Sequence, residues 1–366
     1  MSDKSSIRVL MFIGMLSVIS ACNNNGKQHE TIKTGVQATL AETMDTFLAA
    51  NLKDNAPGLI VSVWQNDMNL YTAMKGLAKL DEPITENTQF RLASVSKTFT
   101  AIAVLKLHEQ GLVGLQDSIL DYLPELDVSW QGITIHHLLS HRSGIPDIFN
   151  DLNAHDLISG DFTNQKIVKY FIDNPSLEFS AGSKEDYSNT GYILLAEIVS
   201  KVSGRAYADF METEVFEPLN MNDTYILGDA NGITPLTAMN FATTHKQFGR
   251  HVYTYGSAAQ VSSMNDMQRF VYAFMMGEII QPETKSLMLT SYSNGEETMF
   301  NGFGYGVIFY SEDGKTTYGH NGGGDGSRTI YAINRSKNSF IVILGNGGDN
   351  LPDYSYMLEL AGNFLE

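Results

Sequence analysis

Apolar and polar positions follow two different periodicities along the chain, and their order indicates the fold. Residues 59–64 and 70–74 are rich in β-branched and aromatic side chains and flank a polar tripeptide at 65–67, a pattern that predicts an antiparallel hairpin. A helix is predicted before this hairpin at 41–51, and folded structure is expected to begin near Ala38.

The run that starts at Ser94 predicts a helix, because it has no proline or internal glycine, repeats apolar residues at helical spacing and stops at Gly111. Between residues 112 and 250, short apolar segments alternate with proline-containing loops, which indicates a mainly helical section. Further helices are predicted at 167–172, 192–202, 207–215, 265–276 and 354–364.

The last hundred residues change to short runs of β-branched and aromatic residues separated by turn-forming residues, which predicts an antiparallel meander. These runs lie at 305–310, 316–318, 328–333 and 339–344. Strands at both ends with helices between them predict an α+β fold, in which one antiparallel sheet is built from both ends of the chain. Its domain, residues 38–366, would divide into an α/β part (about 38–110 plus 251–366) and a helical insert (about 111–250).

The first residues have the pattern of a signal peptide: a basic flank with Lys4 and Arg8, then a short apolar stretch that ends in small residues. Cys22, the only cysteine of the chain, follows directly, and the run resembles the lipobox of bacterial lipoproteins. The resemblance implies a signal peptide at 1–21, lipidation at Cys22 and a location in the bacterial cell envelope, facing the periplasm or exterior. A flexible tether is expected at 22–37; the alternative is that Cys22 is an ordinary thiol.

Composition narrows the classes of partner. Of 366 residues, 43% are hydrophobic and 18% charged, which is enough for a large core. The formal net charge of −17 excludes nonspecific attraction to nucleic acid, which requires clustered lysine and arginine.

Ser94-Val95-Ser96-Lys97 is the only S-x-x-K sequence in the chain. Its spacing places a hydroxyl and an amine one helical turn apart on the same face, so they can act as nucleophile and base. The alternative is that Lys97 is a solvated helix residue, and the spacing alone favours that interpretation.

Residues 90–97, which contain this motif, resemble the first box of the serine β-lactamase and penicillin-binding-protein superfamily. The second box, Y-x-N in the class C β-lactamase-related branch, matches Tyr187-Ser188-Asn189, and a second Tyr-Ser-Asn occurs at 292–294. We select the first because it opens a predicted helix, with Asn189 as the expected N-cap. The resemblance implies that Tyr187 shares proton transfer with Lys97 and that Asn189 binds substrate; otherwise Tyr187 is a packing residue.

The third box departs from the β-lactamase pattern, because His320-Asn321-Gly322 stands where Lys-Thr-Gly is usual. This form is similar to the histidine-containing boxes of D-aminopeptidases and esterase-like members. The resemblance implies substrate contacts from all three residues and an oxyanion hole formed by the backbone N–H groups of Ser94 and Gly323. His320 could instead be a structural hydrogen-bond donor.

Two other stretches, 133–146 and 217–221, resemble scaffold segments of the same branch, so His136, His137 and His141 are interpreted as loop and core residues. The chain has no H-E-x-x-H motif and no cysteine pair. We therefore expect neither a metal site nor a cofactor.

Together these features predict a β-lactamase/transpeptidase-like serine hydrolase that forms an acyl-enzyme at Ser94. The candidate substrates are β-lactams, D-amino-acid peptides and small esters or amides, with D-aminopeptidase or esterase activity as the first alternatives. A catalytically silent binding protein on the same scaffold is the alternative from another class. The oligomeric state is left open.

Overall fold

A six-stranded antiparallel sheet lies at the centre of the fold in the computed structural model, which describes residues 25–151, 163–227, 254–293, 301–310, 317–324 and 326–352. The strand order is β2-β1-β11-β10-β9-β8. These strands are β1 (Leu59–Gln65), β2 (Met68–Lys75), β8 (Ile308–Phe309), β9 (Thr317–Gly324), β10 (Ser327–Asn334) and β11 (Ser339–Gly345).

The two ends of the chain meet inside this sheet. Strand β1 pairs with β11 from Leu59↔Gly345 to Gln65↔Ser339. The Gly58 N–H donates to Asn346 Oδ1 over 2.9 Å, and the Asn346 amide in turn donates to two backbone oxygens after β2. The sequence prediction of one sheet completed by both ends is confirmed.

Helices cover both faces of the sheet. On one face, α1 (Asn25–Asn51) buries apolar side chains against the alternate residues of β1 that point to it. On the other face lie α2 (Ser96–Glu109) and α8 (Met264–Met276), joined by stacking of Phe99 on Phe270 with ring centroids 3.8 Å apart. The start of α2 is therefore held against the sheet by a continuous apolar core.

The section between the two sheet halves is mostly helical, as the sequence predicts. Its helices are α3 (Ile119–Tyr122), α4 (Ile135–Leu139), α5 (Asn164–Asp173), α6 (Asn189–Ser203) and α7 (Tyr207–Met211), which continues as a π-helical turn over Glu212–Phe216. A second sheet, of three strands, has the order Gln89–Arg91, Gln260–Ser263, Tyr225–Ile226. The remaining elements are β3 (Leu77–Lys79), β4 (Glu82–Pro83), β5 (Gln89–Arg91), β6 (Tyr225–Ile226), β7 (Gln260–Ser263), α9 (Pro282–Met288) and 3₁₀ turns at Ala93–Val95, Val128–Trp130, Glu217–Leu219 and Gly348–Asn350.

The structure differs from the sequence expectation at the start of the fold. Residues 25–37, expected to belong to a flexible tether, form the first part of helix α1, which begins at Asn25. Gln37 already contacts the sheet, its Nε2 donating to the Leu70 carbonyl over 3.0 Å. The predicted signal peptide, Cys22 and the predicted helix at 354–364 lie outside the described residues.

The predicted strand at 305–310 is shorter than expected and is limited to β8. Within the described ranges, none of the helices combines the length and the apolar character that crossing a bilayer requires.

Candidate active site

Ser94 lies at the middle of a 3₁₀ turn over Ala93–Val95, directly before α2 begins at Ser96. The helix predicted from Ser94 thus starts as a tighter turn. Ala93 has a φ of 47°, in the left-handed region that costs a residue with a side chain about 1 kcal/mol or more. This strained residue turns the chain sharply before Ser94, whose side chain is only partly buried.

Lys97 Nζ contacts three oxygen atoms at the base of the site. It lies 3.1 Å from Ser94 Oγ, 2.7 Å from Asn189 Oδ1 and 3.0 Å from the Ser257 carbonyl oxygen. The two carbonyl oxygens can only accept hydrogen bonds. A neutral amine has two N–H groups and one lone pair, so donation to both carbonyls leaves the lone pair for the Ser94 hydroxyl.

The electrostatic environment of Lys97 favours this neutral form. The side chain is completely buried, and burial lowers its pKa from 10.5 to about 7, although the negative charge of Asp147 opposes the shift. Near pH 7 a large fraction of the molecules therefore carries an uncharged amine beside Ser94.

Tyr187 lies against both residues. Its ring centroid is 4.8 Å from Lys97 Nζ. Burial raises the pKa of Tyr187 above its ordinary value of 10, and a hydrogen bond with the Ser94 side chain opposes the rise. The hydroxyl therefore keeps its proton at neutral pH and can donate it.

Asn189 is the first residue of α6, and its side chain reaches Lys97 at the base of the site. The expectation that Asn189 caps this helix is wrong. Ser188 is the N-cap, because its hydroxyl accepts the Gly191 N–H over 3.1 Å. This leaves the Asn189 amide free to contact Lys97 instead of its own helix end.

Asp147, a functional residue that no sequence motif indicates, binds the Asn189 side chain and backbone. One carboxylate oxygen accepts both the Asn189 backbone N–H, over 2.7 Å, and its side-chain Nδ2–H, over 2.9 Å. The only sequence signal was a lone carboxylate directly after the apolar Ile145-Pro146 pair of the 133–146 segment.

His141 packs against the Tyr187-Ser188-Asn189 segment. Its ring stacks on Tyr187 with centroids 4.5 Å apart, and its Nδ1 accepts the Ser188 N–H over 3.0 Å. Burial and the neighbouring Lys97 lower its pKa well below 6.5, so it remains neutral. His141 is thus a buried core residue, as the sequence predicts, and its ring lies against that of Tyr187.

His320 lies on β9, and its ring centroid is 6.5 Å from that of Tyr187. The side chain is 1% exposed, and its Nδ1–H donates to the Asn321 carbonyl over 2.7 Å, while Nε2 is buried without a hydrogen-bond partner. Burial and the positive charge of Lys97 lower its pKa to about 3. The imidazole is therefore neutral over the physiological range.

The glycines after His320 differ in their surroundings. A Cβ on Gly322 would lie 2.3 Å from the Leu92 carbonyl oxygen and 3.0 Å from Ser94 N, whereas a Cβ on Gly323 would meet nothing within 4 Å. Gly322 is buried and Asn321 is half-buried. Only a glycine at 322 allows β9 to lie directly against the Ser94 turn.

The second Tyr-Ser-Asn is placed differently. The Tyr292 hydroxyl donates to the Leu287 carbonyl, and its ring stacks on Tyr305 with centroids 4.6 Å apart. Asn294 lies outside the described residues. The contacts with Lys97 and Ser94 come from the first copy, which opens α6.

The other histidines have structural partners. His136 Nδ1 pairs with the Tyr305 hydroxyl at 2.7 Å, and His137 Nδ1 accepts the Thr134 N–H over 3.2 Å. Among the residues that the structure describes, no three His, Cys, Asp or Glu side chains are grouped so that they could hold a metal ion.

Comparison with known proteins places this geometry in a family. The Beta-lactamase family model matches residues 36–365. Penicillin-binding protein 4* of Bacillus subtilis (strain 168) is 30% identical over 324 residues, 81% of this chain and 69% of that protein. Protein flp of Staphylococcus aureus (strain NCTC 8325 / PS 47) is 24% identical over 83% of this chain, which spans only 63% of that protein's length.

Among solved structures, the D-amino acid amidase from Ochrobactrum anthropi SV3 superposes with a TM-score of 0.74. The two sequences are 21% identical, and the match covers 92% of this chain and 98% of the amidase, so it establishes the shared fold. With the family model matching nearly the whole described chain, the protein belongs to the Beta-lactamase family and has the β-lactamase/transpeptidase fold.

Proposed function

We propose that the protein is a serine hydrolase that acts through an acyl-enzyme, with Ser94 as nucleophile and Lys97 as base. The observation that carries this proposal is the hydrogen-bond geometry at Lys97 Nζ, where two acceptor-only carbonyl oxygens leave the lone pair of a neutral amine for the Ser94 hydroxyl. Because its pKa is lowered to about 7, this amine is available as a base near neutral pH.

In the first half of the reaction, the Ser94 hydroxyl proton moves to Lys97 Nζ while Oγ attacks the substrate carbonyl carbon. The backbone N–H groups of Ser94 and Gly323 are proposed to stabilise the oxyanion. The tetrahedral intermediate collapses, the bond to the leaving group breaks, and the protonated Tyr187 hydroxyl delivers a proton to the leaving group and is reprotonated from Lys97. Water then attacks the acyl-enzyme ester, with the same groups moving protons in reverse.

Asn189 is suited to bind a substrate carbonyl. Its oxygen accepts from Lys97 and one of its two Nδ2–H groups donates to Asp147, so the remaining polar group is one N–H donor. A donor at this position pairs with a carbonyl oxygen of the substrate, such as an ester or amide carbonyl next to the scissile bond.

The neutral His320 favours substrates without a carboxylate. In Lys-Thr-Gly relatives a permanent cation stands at this position, whereas His320 is buried and has a pKa lowered to about 3. We therefore propose small esters and amides, including D-amino-acid amides, as the substrate class in preference to penicillins. The fold shared with a D-amino acid amidase is consistent with this choice.

Active-site labelling tests the proposal. The purified domain is incubated with a fluorescent fluorophosphonate and, separately, with a fluorescent penicillin, and labelled protein is measured by gel fluorescence and peptide mass spectrometry. We expect fast fluorophosphonate labelling at Ser94 and weak penicillin labelling. Labelling by neither probe would favour the silent binding-protein alternative.

Two variants make the result specific. Ser94→Ala should abolish labelling without loss of fold, because it removes one hydroxyl and little volume. Ser96→Ala is the matched control: this neighbouring serine accepts the Gln260 N–H over 3.2 Å and is buried away from the proposed nucleophile position, so labelling should persist. An adduct that maps to another serine in the wild type would refute the assignment.

A further inference from the structure

Asp147 stands at the end of a chain of hydrogen bonds that leads to the reactive serine. Its carboxylate accepts from the Asn189 amide, the Asn189 oxygen accepts from Lys97 Nζ, and Nζ lies 3.1 Å from Ser94 Oγ. We propose that Asp147 is a positioning residue that fixes the direction of the Asn189 amide and thereby aims the base at Ser94. This inference rests on the proposed function and adds a residue to its machinery.

The direction of the Asn189 amide follows from the chemistry of its two partners. A carboxylate only accepts hydrogen bonds, so the NH₂ end of the amide must face Asp147. The oxygen end must then face Lys97, where it takes up one N–H of the amine. If the amide were reversed, its NH₂ group would face Lys97 Nζ and could donate to the lone pair of the amine. That lone pair would then no longer be available only to the Ser94 hydroxyl.

Asp147 is itself held rigidly. Its other carboxylate oxygen accepts the Phe149 N–H over 2.9 Å, and its side chain is 9% exposed. On the same loop, the Ile148 N–H donates to Thr190 Oγ1 and that hydroxyl donates to the Pro146 carbonyl. The loop and the start of α6 are thus joined on both sides of Asp147, so the carboxylate cannot move away from Asn189 without breaking these bonds.

The charge of Asp147 gives the proposal a second, independent consequence. Asp147 is the carboxylate that acts on Lys97, and it favours the ammonium form. Five titratable groups face Lys97. Asp147 and His141 come from the loop after α4, Tyr187 and Tyr192 from the segment before α6 and from α6 itself, and His320 from β9. Of these, only Asp147 contributes a negative charge at neutral pH, so its neutralisation must make the Lys97 amine release its proton at lower pH.

The test compares Asp147→Asn with wild type in the rate of fluorophosphonate labelling between pH 5 and 9. An amide at 147 can present either an oxygen or an NH₂ group to Asn189, so the direction of the Asn189 amide is lost. In the profile of labelling rate against pH, we expect the plateau rate to fall at least about tenfold. The acidic limb, in which the rate rises with pH, should move to lower pH by about half a unit or more. A carboxylate that only held the loop would lower the plateau and leave the limb in place.

Asp186→Asn is the matched control, because it removes one exposed carboxylate from the segment that precedes α6. Asp186 is exposed and pairs with Lys184 over 2.7 Å; its loss should change neither plateau nor limb. Asp147→Ser is a second neutral variant, smaller than Asn, and should show the same downward movement of the limb if Asp147→Asn does not fold.

A second measurement separates this proposal from the proposed function, because it needs no activity. The thermal midpoint is recorded against pH for wild type, Asp147→Asn and each of these combined with Lys97→Met. The pH at which Lys97-dependent stabilisation begins should be lower in the Asp147→Asn background. If it is unchanged, Asp147 does not act on Lys97 and the proposal fails. If it moves while wild type is not labelled at all, the proposed function fails and the assignment of Asp147 stands.

Discussion

Lys97 provides the most quantitative prediction, because burial of its amine links the stability of the protein to pH. Its pKa falls from 10.5 to about 7. At about 1.4 kcal/mol per unit, the difference amounts to about 5 kcal/mol by which the folded protein disfavours the ammonium form. The side chain is 0% exposed, so solvent screening does not reduce this figure.

The direction in which pH changes the free energy of unfolding follows from the proton binding of the folded and unfolded states. Between pH 7 and 10.5 the unfolded chain still holds the Lys97 proton while the folded protein has released it. The free energy of unfolding must therefore rise with pH in this window, and the full penalty remains below pH 7, where both states are protonated. From pH 7 to pH 9 the gain is about 2 kcal/mol.

The perturbation is Lys97→Met, which keeps an unbranched side chain of similar length and removes the titrating group. Thermal midpoints of wild type and variant are measured between pH 7 and 9 by differential scanning calorimetry. The wild-type midpoint should rise by about 3 °C relative to the variant across this range. Ser94→Ala, which removes the proposed nucleophile but keeps Lys97, should follow the wild type. Parallel curves for wild type and Lys97→Met would refute a buried amine with a lowered pKa.

Three further predictions address the third box and the anchor. Gly322→Ala should reduce Ser94 labelling at least about a hundredfold, because its Cβ would lie 2.3 Å from the Leu92 carbonyl oxygen. Gly132→Ala, whose Cβ meets nothing within 4 Å, should label normally, and equal labelling of the two variants would contradict the close contact at 322. His320→Lys should raise kcat/KM for carboxylated relative to neutral esters by about tenfold, about 1.4 kcal/mol, and an unchanged ratio would remove this position as a determinant of substrate class. Cys22→Ser should move the protein from the membrane fraction to the soluble fraction, and unchanged fractionation would exclude Cys22 as a lipid site.

The elements that the sequence predicts well are those in which local pattern and tertiary packing agree. The hairpin of β1 and β2 follows from two runs of β-branched and aromatic residues around a polar turn, and α6 follows from its long apolar repeat. The start of α1 was missed because residues 25–37 have no clear apolar stripe, and composition alone suggested a tether. The tripeptide at 187–189 was chosen correctly as a helix start, but the capping residue was misassigned, since Ser188 and Asn189 are equally good caps in isolation.

For the candidate site, sequence resemblance named the side chains that the structure brings together around Lys97, but could not supply their environment. The lowered pKa values of Lys97 and His320 come from burial, which depends on contacts between distant parts of the chain. Asp147 was missed for the same reason, because its partner Asn189 is 42 residues away and a lone carboxylate in a loop has no periodic signal. Proton affinity and hydrogen-bond direction therefore required the three-dimensional arrangement.

The hydrogen bond between Gly58 and Asn346 joins residues 288 positions apart, and it has a consequence for how the protein is made. Strand β1 leaves the ribosome long before β11, so for most of synthesis it has a free edge and an uncovered apolar face. Such long-range pairing gives a high contact order, which slows folding and prolongs the exposure of apolar surface on the nascent chain to aggregation. Because β9 also comes from the late part of the chain, the Ser94 turn gains its neighbouring strand only after most of the protein has been synthesised.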